Sequence, residues 1–118
     1  MSKPFDISIW RRASQKKKQV LEQRRLQALD DVRQAISRLC LTYNWTDLYV
    51  FGSVIKSGRF TERSDIDIGI LGLDKLSHYR FIADLSDILE KKVDVLRLED
   101  CSFADLIKSR GIRWKKEK

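Results

Sequence analysis

From about Ser14 to Leu41 the chain contains no glycine or proline, and Leu21, Ala28, Leu29, Val32, Ile36 and Leu39 recur along one side at helical spacing. That pattern predicts an amphipathic helix over 14–41. Beyond it the period changes. Leu48 to Phe51 is a short run rich in β-branched and aromatic residues, read as a strand over 47–51 that Gly52 terminates. Ile66, Ile68 and Ile70 alternate with other residues, as do Val93 and Val95, predicting strands over 65–71 and 92–98. Between them, Phe81, Ile82, Leu85, Ile88 and Leu89 mark the buried face of a helix over 78–90, with Ser77 as its cap and Leu71 to Leu76 as the connecting loop. A short helix over 53–57, a helix over 102–109 and a short strand near Ile112 complete the order. Trp45 and Trp114 read as core or rim packing. The fold class is α/β, a mixed sheet flanked by helices.

Charge divides this chain unevenly. Residues 1–45 carry ten Lys or Arg against four Asp or Glu, and residues 46–118 carry fourteen against thirteen. The chain is therefore read as a basic, mostly helical N-terminal segment, 1–45, packing on a core, 46–118. The start of the helix, with Arg11, Arg12, Lys16, Lys17 and Lys18, has little apolar content beyond Trp10 and Val20, so it is expected to project from the domain or fray. Such a segment leaves nucleic acid, an acidic protein partner and contact between copies of the chain open as partners, although no series of aromatics for base stacking runs through it.

At 118 residues, 42% apolar and 35% charged, the chain suits one globular domain. It lacks an apolar run long enough to cross a membrane and the apolar core of a secretory signal, so the expected location is cytoplasmic, with no membrane partner. Cys40 and Cys101 are two and distant, which argues against a disulfide framework or a zinc site, and they read as reduced packing residues. His78, the single histidine, reads as a surface or capping residue.

The chemistry concentrates at Asp65-Ile66-Asp67. On a strand, side chains at i and i+2 share a face, so the two carboxylates stand together while Ile66 and Ile68 point the other way. Alone, the pair could equally be solvated surface. Asp94, between Val93 and Val95, shifts the balance, because it joins the same face if the two strands are neighbours. Like charges this close raise one another's pKa, and no fixed lysine or arginine partner is expected from the adjoining sequence. A divalent cation answers the problem. An all-oxygen set suits Mg²⁺ or Mn²⁺, and Mg²⁺ completes its shell with water and substrate phosphates, which points to a nucleoside triphosphate. Gly52 and Ser53, after the first strand, offer a close backbone approach, a hydroxyl and a main-chain N–H to a phosphate. Neither the G-x-x-x-x-G-K-[ST] loop nor G-x-G-x-x-G is present.

With Phe51-Gly52-Ser53, Gly58 to Ile68 and Val93-Asp94-Val95, the chain resembles the minimal nucleotidyltransferases of the DNA polymerase β superfamily, the antitoxin partners of HEPN-domain toxins. The similarity runs from about Leu48 to the C-terminus, where Ile107 to Trp114 looks like the family's closing helix, glycine and short strand. Eleven residues separate Ser53 from Asp65, one more than is usual there, so either Lys56 or Arg59 takes the place of the basic residue before the loop glycine.

The resemblance implies a polymerase β-like nucleotidyltransferase fold and a metal-dependent enzyme using two Mg²⁺ ions and ATP. Asp65 and Asp67 would hold both metals, Asp94 would complete the site for the metal that activates the acceptor, and Gly52 and Ser53 would hold the triphosphate, with Lys56 or Arg59 nearby. It also implies transfer of AMP to a hydroxyl, such as a tyrosine, of a separate HEPN-type toxin. Two alternatives stay open: a non-catalytic antitoxin that acts by binding, and a nucleotidyltransferase acting on RNA ends.

Overall fold

The computed structural model describes residues 7–115. Residues 1–6 and 116–118, where the two predicted segments begin and end, lie outside the described residues. The elements run α1 (Ile7–Leu39), β1 (Asp47–Phe51), a 3-10 turn (Gly52–Ile55), β2 (Ile66–Leu71), α2 (Lys75–Leu89), β3 (Val93–Arg97), a second 3-10 turn (Leu98–Asp100), α3 (Ala104–Arg110) and β4 (Ile112–Trp114).

The alternation in β2 sets the layers. Ile66, Ile68 and Ile70 are fully buried, and so face a core built with Val32, Ala35, Ile36 and Leu39 of α1 and Phe81 and Leu85 of α2. Strand order is β3-β2-β1-β4, with β1 antiparallel to β2 and β4, and β2 parallel to β3. Trp45 is buried between Phe81 and Trp114, in edge-to-face contact with both at 5.6 and 5.5 Å. A second, smaller cluster on the opposite sheet face joins Tyr49, Leu98 and Ile107. Gly69 permits it: a Cβ there would lie 2.8 Å from Leu98 Cδ2 and 3.2 Å from Ile107 Cγ2. The segment that carries α3 thus covers the part of this face near Gly69.

Three expectations are corrected. The first helix is already formed at Ile7 rather than Ser14 and ends at Leu39. Its early residues, mostly Arg, Lys, Gln and Ala, are good helix formers even without packing. The second helix starts at Lys75, because Asp74 caps it by accepting from the Ser77 N–H at 2.7 Å. Starting there, it turns His78 onto the same face as Phe81 and Leu85. His78 is buried, neither surface nor cap, and its Nε2 lies 2.9 Å from the carbonyl oxygen of Val95, to which it donates.

Cys40 and Cys101 are both free and partly buried. No helix among the described residues is long and apolar enough to cross a membrane.

Candidate active site

Strand register assembles the carboxylates. Asp67 pairs with Asp94 across the parallel β2–β3 ladder and with Phe51 across the antiparallel β1–β2 ladder. Asp67 therefore stands between the end of β1 and Asp94, on the face opposite Ile66 and Ile68. Asp65 immediately precedes β2. Burial pushes the Asp67 carboxyl above the ordinary carboxylate range, and the neighbouring Asp94 and then Asp65 push it in the same direction. Asp94 is exposed, whereas Asp65 and Asp67 are partly covered.

Gly52 closes the opposite side. Its φ is +81°, and a Cβ there would lie 2.2 Å from Asp67 Oδ2. Only glycine lets the main chain turn so close to that carboxylate. Ser53 follows in the 3-10 turn, whose first N–H groups have no partner within the turn. The Ser53 hydroxyl makes no hydrogen bond among the described residues. Two residues that the sequence reading missed hold this turn in place. Arg25 of α1 donates from Nη1 to the Val54 carbonyl at 3.1 Å, and Ser57 donates to Glu22 Oε2 at 3.0 Å. Glu22 and Arg25 pair with each other, and the Arg25 hydrogen bond foremost holds the Glu22 carboxyl below its ordinary range. Their i,i+3 spacing was the available signal, but it reads equally as an ordinary surface pair.

The two basic candidates part ways. Lys56 lines a hollow of about 170 Å³ together with Phe51, Gly52, Ile55, Leu106 and Arg110. Arg59 is exposed on the loop and does not line it. Arg110, brought in by α3, is a cation that no local motif announced. A lysine from a distant part of the sequence does approach the pair, although it is not a fixed one. Ile66 pairs with Val93, which sets residue 65 against residue 92, and Lys92 Nζ lies 3.7 Å from Asp65 Oδ2. Lys92 is 80% exposed, so this attraction is weak and readily displaced.

Among the described residues no group of three such side chains closes into a ready-made metal cage. The donor set nevertheless fits Mg²⁺. That ion is held by one or two carboxylates and fills its remaining positions with water and phosphate oxygens. A crowded carboxylate with a raised pKa, faced by a second in register, is such a partial site.

Fold and site together define a nucleotidyl-transfer protein. The chain belongs to the polymerase beta nucleotidyltransferase family, whose profile matches residues 34–113. Among solved structures, it is similar to a putative minimal nucleotidyltransferase, at 25% identity and a TM-score of 0.63, over 74% of this chain and 93% of that one. It is also similar to a toxin-antitoxin structure with AMP-PNP, at 25% identity and a TM-score of 0.58, over 72% of this chain and 74% of that one. The toxin-antitoxin MntA-HepT shares the fold, at 22% identity and a TM-score of 0.54, over 73% and 71% of the two chains. No curated protein matches the chain.

Proposed function

We propose that this chain transfers AMP from ATP to a hydroxyl of a partner protein of HEPN type, as the antitoxin of a toxin–antitoxin pair. The observation that carries the reading is the placement of Asp67, in register with Asp94 and pressed against the Gly52 main chain. Such crowding of like charge is relieved by a cation and serves a phosphate-bearing substrate. The likeness to a toxin-antitoxin structure with AMP-PNP supports an adenine nucleotide as donor.

Asp65 and Asp67 would hold both Mg²⁺ ions, and Asp94 would share in the one nearer the acceptor. Those ions would supply charge neutralisation for the attacking and leaving oxygens. The chain's own groups do the rest. The Ser53 hydroxyl and the N–H groups of the 3-10 turn bind the triphosphate tail, and Lys56 and Arg110 add positive charge at its edge. Asp94, exposed at the open side, takes the proton of the incoming hydroxyl. A new oxygen–phosphorus bond then forms at the α-phosphate as the bond to the β-phosphate oxygen breaks and pyrophosphate leaves. Positioning and electrostatics supply most of the acceleration.

Incubation with α-labelled ATP, Mg²⁺ and the protein encoded beside this one tests the reading. Label on that protein, lost in Asp65→Ala, is expected. The second reading, an antitoxin acting by contact alone, is favoured by the extra residue between Ser53 and Asp65. Partner inhibition that persists unchanged in Asp65→Ala, without label, would replace the first reading with the second. Label appearing only on RNA would move the acceptor to nucleic acid.

A further inference from the structure

The nucleotidyltransferase core does not account for the N-terminal half of α1. The family match begins at residue 34. Passing toward its N-terminus, α1 touches the core through Arg25 at Val54 and Glu22 at Ser57, and Lys18 lines an open hollow with Gly58 and Phe60. The helix then continues past the Gly52–Ser53 end of the sheet, giving a molecule 70 Å long but only 28 and 25 Å across. Every residue from Ile7 to Val20 is exposed.

This arm carries Arg11, Arg12, Lys16, Lys17 and Lys18 and no acidic residue. Glu22, the first that follows, is already engaged by Arg25 and Ser57. None of the five cations makes an ion pair among the described residues. At about 100° per residue, Arg11 and Lys18 fall on one line of the helix, Arg12 and Lys16 on a second, and Lys17 on a third. Gln15 and Gln19 lie between the first two lines. Positive charge therefore surrounds the arm rather than forming a stripe. Like charges at i and i+4, as in Arg12 and Lys16, weaken a helix that packing does not support, and a surrounding polyanion reverses that effect.

We propose that the arm docks in the major groove of double-stranded DNA. That groove, about 12 Å wide, admits an α-helix between two walls of phosphate, which matches cations on several sides. The narrow major groove of duplex RNA does not admit one. A single strand would call for a series of stacking aromatics, and the arm has only Trp10. A protein face would call for an apolar centre with charge at its rim. Here the exposed apolar residues are divided, Ile7 and Trp10 on the side that continues the buried face of α1, Ile9 and Val20 well round from it. Gln15 and Gln19, beside Arg12, supply side chains suited to base edges.

Fluorescence anisotropy of the full chain with a short labelled DNA duplex tests the proposal. Five neutralised phosphates give a slope of about −4.5 in log K against log[salt], so affinity should fall roughly 500-fold between about 50 and 200 mM salt. Lys17→Gln alone should reduce the slope by about 1. The combined Arg11→Gln, Arg12→Gln, Lys16→Gln, Lys17→Gln and Lys18→Gln variant keeps good helix formers, and circular dichroism should confirm an intact helix while duplex binding disappears. Asp67→Asn should bind DNA as the unaltered chain does, which separates this result from the chemistry at the carboxylates. No duplex binding at low salt, or equal binding by the five-residue variant, overturns the proposal. Equal or tighter binding of duplex RNA, single-stranded DNA or polyglutamate also overturns it, and marks the arm as a general acidic-surface dock.

Discussion

Replacing Gly52 with alanine separates a positioning role from a merely local turn. Two costs combine. At φ +81° an alanine occupies a left-handed conformation, worth about 1–2 kcal/mol. Its Cβ would also sit 2.2 Å from Asp67 Oδ2, where ordinary contact begins near 3.4 Å, so the carboxylate must retreat by about 1 Å. Overpacking of this kind adds about 1–3 kcal/mol. The expected loss is therefore about 3 kcal/mol, a large share of the ~5–15 kcal/mol of a small domain. A displacement of about 1 Å at a catalytic group costs on the order of 10² in rate.

Urea unfolding reads the first effect as a lower midpoint at an unchanged slope, and α-label transfer reads the second. The control is the same change in an Asp67→Ala background. There the clashing oxygen is gone, the nearest remaining contact is the Cβ of residue 67 at 3.2 Å, and Gly52→Ala should cost mainly the ~1–2 kcal/mol of backbone strain. The difference between the two backgrounds, at least about 1 kcal/mol, measures the contact itself. Equal costs in both backgrounds would refute the account of Gly52 as the wall of the Asp67 site.

Other outcomes follow from the same geometry. In chelator, Asp67→Asn should stabilise the chain at neutral pH, because the native state holds an ionised carboxylate whose pKa is raised; the gain shrinks as pH falls through that folded value and is gone below the unfolded one, as paired unfolding curves will show. Tyr43, half-covered and bonded to Asp84, should ionise at about 12 in an ultraviolet titration, with burial as the main cause, and earlier in Asp84→Asn. Since its folded pKa lies above the unfolded value of 10, stability present below pH 10 declines as pH rises through about 12. His78→Phe should lose about 1–3 kcal/mol in thermal unfolding, because the Val95 carbonyl is left without its donor.

What the sequence reveals here depends on the range over which each signal acts. The strand period placed Ile66, Ile68 and Ile70 on one face and Asp65 and Asp67 on the other without knowledge of the neighbours. Capping misled by one turn, since Asp74 and Ser77 are both capping residues three apart, and the true cap moved His78 from surface to core. Lys92 and Arg110 could not be read locally at all, and the i,i+3 pair of Glu22 and Arg25 could not be told from an ordinary surface pair. Lys92 meets Asp65 through parallel register, Arg110 reaches the hollow through α3, and Arg25 acts across 29 positions of sequence on Val54. These are consequences of tertiary packing, for which no short spacing exists.

The same packing explains how a costly cluster persists. Two carboxylates near 4 Å repel by about 1 kcal/mol in water and about 4 kcal/mol at the effective dielectric of a protein surface. Against this, each fully buried isoleucine of β2 contributes about 1.5–3 kcal/mol. Because the side-chain period is two, sliding β2 by one residue to part Asp67 from Asp94 would also turn Ile66, Ile68 and Ile70 toward solvent and drive Asp65 and Asp67 into the core. The escape costs more than the repulsion. The hydrophobic face of β2 thereby holds the carboxylates together, and a cation bound under the proposed function would recover free energy that folding has already stored there.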